Sequence, residues 1–172
     1  MKRSGSLVLA ALACCLIAAV PHHSAPRHST SPPPIDGIRC EGMEGAVVHI
    51  HQYLALYDGY QRVTVPALIG IHNDCLYWLH THTADGLIHD EVPIHKFFKL
   101  GNFFDVWRQP LNWYQAGPLH ARRGTKLKIT VDGKPFKGNP RNIELDNHTE
   151  IIIKAGPPYI THPPHYRWGN MG

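Results

Sequence analysis

The sequence predicts an α+β domain: a β-grasp-like mixed sheet with one helix packed across it and an additional N-terminal β-hairpin. Three observations carry this. Several segments alternate apolar and polar residues with period two, as half-buried strands do. One short stretch, Leu100–Trp107, places its apolar residues at helical spacing instead. The 15 Gly and 15 Pro favour turns and strands over a helical bundle. A length of 172 residues fits one core. With 43% hydrophobic and 17% charged residues, the chain is neither wholly disordered nor a polytopic membrane protein. The formal charge of +4 includes Lys2 and Arg3 of a leader, so the remaining basic excess does not indicate a nucleic-acid partner.

Residues 1–20 read as an export signal, with Lys2 and Arg3 as the charged region and Leu7–Val20 as the apolar one. That stretch is shorter than the about 20 residues a membrane span needs. Two processing routes stay open: cleavage near Ala18-Ala19, or lipid attachment at Cys14 after Ala11-Leu12-Ala13. Either route makes the domain periplasmic, secreted or lipid-anchored, and the membrane is met only through that signal or anchor. Residues 21–36, rich in Pro, Ser and His, read as a disordered spacer in which His22, His23 and His28 are solvated. The domain then runs over 37–160, with an extended tail at 161–172. Its two cysteines, Cys40 and Cys75, are expected to form a disulfide, since a pair in an oxidising compartment does so most simply and no CxxC spacing favours a thiolate metal site. The crosslink would close a loop of about 35 residues and contribute roughly 3–4 kcal/mol.

The first strand is expected over 46–57. Val48, Ile50, Leu54 and Leu56 share one face, and His49, His51 and Tyr53 share the other. Asp58-Gly59 turns it back through Tyr60–Val65, where Pro66 ends the pairing. Leu76–Glu91 reads as a second hairpin around Asp85-Gly86. A two-residue type I′ turn there sets His82 opposite His89 and His80 opposite Glu91, all on one side of the ribbon. Val92–Phe98 would continue as a strand disturbed by Pro93. The helical face of Leu100, Phe103, Phe104 and Trp107 is a core stripe, and Pro110 would end the helix. After a loop with Trp113 and Tyr114 come a strand at Lys126–Val131, a turn at Asp132-Gly133, a short partner at Lys134–Phe136, and a buried strand at Glu150–Lys154.

Histidine is the outlier of the composition, with 14 residues. Neutral imidazole is a ligand for borderline metals, and two His at i and i+2 on a strand point the same way. Two such pairs occur, His49/His51 and His80/His82, with His89 and Glu91 brought in by the hairpin. These six residues form the candidate metal site. His must be neutral to ligate, so binding is expected to weaken below about pH 6.5. His72, His95, His120, His148, His162 and His165 fall outside the pattern and read as surface or packing residues. Asn147-His148-Thr149 matches a glycosylation acceptor, which matters only in a eukaryotic secretory route.

The runs HIHQYLALYDG, CLYWLHTHTADGLIHDE, FKLGNFFDVWRQPL and VDGKPFKGNPRNIEL, spread over about 37–160, resemble a family of exported bacterial proteins. That family is marked by HIHxHL, LHTHDxxGxIHxE, FTLGxFFDxWG and VNGKxxxGDPRxIxL. The resemblance implies a shared fold and a shared histidine site, and names no reaction. Two positions depart from the pattern: Tyr53 replaces a third His, and Thr83 replaces an Asp.

Three function classes follow. The first is a non-catalytic metal-binding domain for Cu(II) or Zn(II), since imidazole suits both and a free thiolate for Cu(I) is lacking. The second is a metal-dependent hydrolase-type enzyme with Glu91 or Asp90 as general base, although neither HExxH nor GxSxG occurs. The third is a structural domain that binds a protein partner through the Trp113/Tyr114 loop, with incidental or pH-sensing histidines.

Overall fold

The computed structural model describes residues 31–44 and 47–169. The export signal, Cys14 and Cys15, and the spacer histidines lie outside the described residues. In chain order the strands are β1 (Cys40–Glu41), β2 (Val48–Asp58), β3 (Gln61–Val63), β4 (Leu76–Tyr77), β5 (Leu79–His80) and β6 (Leu87–Val92). Helix α1 (Leu100–Val106) precedes β7 (Gln115–Ala116), β8 (Leu119–His120), β9 (Lys128–Val131), β10 (Lys134–Pro135) and β11 (Glu150–Ala155). The main sheet runs β10-β9-β11-β2-β6-β5, with β3 paired to the far end of β2. It is mixed: β11 lies parallel to β2, while the other pairs are antiparallel. The fold is of the expected α+β class, with one α-helix among the described residues.

Strand β2 is the organising element. It belongs to the expected N-terminal hairpin, yet it sits centrally, flanked by β11 on one edge and by β6 and β3 on the other. Its even-numbered apolar side chains Leu54 and Leu56 face the main core, into which α1 drops Leu100, Phe103, Phe104 and Val106. Extended Lys99 starts that helix, donating its N–H to the Asn102 side chain at 2.9 Å. The helix closes at Arg108, which adopts φ 56°, two residues before Pro110. The opposite face holds a smaller cluster of Tyr53, Ala55, Tyr57 and Ile152, covered by Ile160 and by Tyr166 and Trp168 of the extended tail.

Cys40 and Cys75 are bonded, with Cα atoms 5.3 Å apart, and fasten β1 beside β4. Ahead of β1, Tyr77 donates its hydroxyl to the Pro33 carbonyl, and Ile35 bridges Ile38. Several element boundaries differ from expectation. The first hairpin turns at Gly59-Tyr60, because Asp58 still pairs with Gln61 and Gly59 takes the positive φ of 62°. Its return strand is confined to β3. Strand β6 stops at Val92, so Val92–Phe98 is not a continuing strand; Pro93 has no N–H to extend the ladder.

The Asp85-Gly86 hairpin departs most from expectation. Only Gly86 has positive φ (94°), so this is not a two-residue type I′ turn, and the register sets His80 opposite His89 and Leu79 opposite Asp90. Thr81 causes the departure. Its N–H bonds to the Ile69 carbonyl and its hydroxyl to the Pro66 carbonyl, which draws the chain away from β6 just after His80. Asp85 then organises a wider loop, accepting from Thr83 Oγ1 at 2.8 Å and from the Leu87 N–H at 3.0 Å. The slip is two residues, and side chains alternate with period two, so the histidines keep their face.

Candidate metal centre

Three strands place imidazoles in one row. His51 on β2 is opposite His89 on β6, and His89 is opposite His80 on β5. Neighbouring strands lie about 4.8 Å apart, and the ring centroids follow, 4.6 Å for His51–His89 and 5.3 Å for His80–His89. The next row sets His49 opposite Glu91. His82 has left the strand but folds back, placing its Nε2 3.1 Å from His80 Nε2.

Two overlapping donor groups result, His80–His82–His89–Glu91 and His49–His51–His89. Within each group one ligand atom per residue lies within 4.8 Å of the others. At metal–ligand distances of about 2.0–2.2 Å, donors around one ion are separated by roughly 3–4 Å, so small side-chain movements suffice.

His80 is the best-defined member. It is fully buried, and its Nδ1–H donates to the Tyr77 carbonyl at 2.9 Å. That bond leaves the Nε2 lone pair directed at His82 and Glu91, the arrangement by which a backbone carbonyl orients a ligating imidazole. Burial pushes its pKa from 6.5 down to about 4, with His82 and His89 adding to the effect and Glu91 opposing it. His51 is lowered to about 4 in the same way, by burial first and then by His89 and His49. Its backbone N–H is held by the Asn147 side chain and its carbonyl by the His148 N–H. Asn147 itself is exposed, while Thr149 of the same triplet is buried.

Glu91 is the anionic centre. Its side chain is 1% exposed, and Oε1 lies 3.1 Å from both His49 Nε2 and His89 Nδ1 and 4.0 Å from His80 Nε2. Burial raises its pKa, but the His89 hydrogen bond and the imidazoles of His80, His49 and His89 outweigh that and lower it. The site therefore holds one buried negative charge among imidazoles of which at least two are neutral. Two of its buried atoms, Glu91 Oε2 and His51 Nδ1, have no hydrogen-bond partner among the described residues.

Asp90 has no place here. It faces away from the imidazoles, fully buried among the Ile88 and Val92 positions of β6, and neither oxygen has a hydrogen-bond partner among the described residues. Burial, and then Glu91, raises its pKa to about 7. A neighbour that no pattern in the sequence indicates is Glu44, whose Oε1 is 3.8 Å from His82 Nε2. His148 is another, stacked on Trp168 with centroids 4.5 Å apart beside His51. Tyr53 and Thr83 lie off the cluster: Tyr53 packs under Tyr166 and accepts from Arg62, and Thr83 serves the 81–86 loop. Of the outlying histidines, His72 lies against Tyr77 and His165 pairs with Glu150 at 2.8 Å.

No family model, curated protein or solved structure matches this chain. Among the described residues, no helix is long and apolar enough to cross a membrane.

Proposed function

We propose that this chain is an exported domain that binds a divalent transition metal, Cu(II) or Zn(II), at the histidine cluster on the β5–β6–β2 face. The observation that carries the reading is His80: a buried imidazole with Nδ1 tied to a backbone carbonyl and Nε2 directed at His82 and Glu91. His80, His82, His89 and Glu91 supply the donors, with His49 and His51 alongside. Imidazole nitrogen with one carboxylate suits either metal, and the only described cysteines are locked in the disulfide. Burial keeps His80 neutral to about pH 4, so proton competition at this ligand begins well below the ordinary imidazole range. The disulfide fits an oxidising compartment, which supports the export assigned to residues 1–20.

The test is elemental analysis of untagged protein, with thermal unfolding before and after chelation. Stoichiometric copper or zinc, and a lower unfolding midpoint once it is removed, is the expected result. Protein that takes up no metal when supplied with either ion would refute the proposal.

A further inference from the structure

At the opposite edge of the sheet from the imidazoles, β9, β10 and β11 border a groove of about 540 Å³, within the range of small-molecule sites. Trp113 and Phe136 are half-buried in its wall, while Leu127 and Ile129 border it with side chains turned into the main core. Four lysines, Lys126, Lys128, Lys137 and Lys154, line the same groove, and no carboxylate does.

Two of these lysines conflict with simple sheet design. Lys128 and Lys154 are directly opposed across the β9–β11 ladder, and like charges in that position destabilise a sheet. Lys154 is half-buried, and burial followed by the neighbouring Lys128 lowers its pKa. Each cation meets the segment just after β11: Lys128 Nζ sits 3.9 Å from the centre of the Tyr159 ring, and Lys154 Nζ donates to the Ile160 carbonyl at 3.5 Å. These contacts fix two ammonium groups beside the groove without neutralising either.

We infer that this groove binds an amphipathic organic anion of the long-chain carboxylate class, its acidic head between Lys128 and Lys154 and its apolar body along Trp113 and Phe136. Paired ammonium groups answer one acidic head, and the aromatic wall answers a body that water solvates poorly. A polyanion or a flat anionic surface would use the charges and leave the concave aromatic wall unexplained. The inference does not depend on the metal centre.

Dodecanoate below its micellar concentration is a suitable probe, titrated calorimetrically into the full domain, with the Trp113 indole followed by NMR. One equivalent should bind, shift the Trp113 signal, and bind roughly tenfold or more weakly to the Lys128→Gln/Lys154→Gln variant. The Lys128→Arg/Lys154→Arg variant should retain binding. The glutamine variant should unfold at the same temperature as wild type or higher, because opposed like charges have been removed, which separates lost recognition from lost folding. Dodecanoate binding with equal affinity to the glutamine variant would overturn the inference. So would absence of dodecanoate binding to the wild-type domain, whether or not inorganic sulfate or anionic phospholipid vesicles bind.

Discussion

One strand face carries two different environments. Along β2, positions 49, 51, 53, 55 and 57 all project to the same side. At His49 and His51 the neighbours across the ladder are Glu91 and His89 of β6. At Tyr53, Ala55 and Tyr57 the covering residues are Ile152 and the tail aromatics Tyr166 and Trp168. The apolar half is closed as a second small core, while the imidazole half keeps donor atoms facing one another. The tail marks the boundary: Trp168 stacks on His148, and His148 lies next to His51. A single alternating strand therefore closes an apolar cluster at one end and gathers potential metal donors at the other, and the two ends should respond differently to substitution.

The largest expected effect falls on the imidazole half. His80→Ala with His82→Ala removes two nitrogens 3.1 Å apart, and stoichiometric metal uptake should disappear. His162→Ala with His165→Ala alters the tail, outside both donor groups, and should leave uptake intact. Elemental analysis of both proteins decides it; equal occupancy in the two would erase the distinction between the halves. At the seam, the Gly86 carbonyl accepts from the Leu54 N–H at 2.9 Å. A Cβ at Gly86 would lie 2.1 Å from the Leu54 carbonyl oxygen, at a φ of 94°. Gly86→Ala should therefore cost about 2 kcal/mol or more in denaturant titrations.

On the apolar half, Tyr166→Ala removes a ring centred 4.5 Å from that of Tyr53. A loss of about 1–2 kcal/mol is expected, seen as a midpoint lower by several degrees, with metal stoichiometry unchanged. A loss of metal along with stability would show that the tail supports the ligands as well as the small core.

Local patterning made β2, α1, β9 and β11 legible, along with the side of the ribbon on which His80, His82, His89 and Glu91 gather. What it missed is shown by one dipeptide used in two ways. Asp132-Gly133 has φ of 49° and 74°, with Lys134 opposite Val131, the two-residue turn its sequence calls for. Asp85-Gly86 has the same letters and a wider loop. The deciding bonds run from Thr81 to Pro66 and Ile69, more than ten residues away, where no periodicity reaches. The central parallel pairing of β11 with β2 and the folding back of the tail over Tyr53 are likewise long-range outcomes. The histidine face was readable despite the slipped register because a two-residue shift preserves which side each residue occupies. A one-residue slip would have scattered the cluster.

The smallest effect, and the sharpest for the comparison, is the pH dependence of the metal-free protein. His51 and His80 are lowered from 6.5 to about 4, so between those values the unfolded chain binds more protons at these sites than the folded one. Stability from both is present above 6.5 and is lost as pH falls toward 4. Asp90 acts the other way: raised from 3.8 to about 7, its folded form holds a proton that the unfolded chain has released, so its contribution weakens as pH rises through that window. Glu91, held below 4.5, adds to the histidine direction at the acid end. Two histidines against one aspartate leave a net increase in stability from pH 4 to 6.5. Asp90→Asn should steepen that rise by removing the opposing group. Tyr166→Ala should lower the whole curve without changing its slope, since the apolar half contributes none of these groups. Urea midpoints measured across the window are the readout; a flat or falling wild-type curve would mean that the imidazole half is not held neutral by burial.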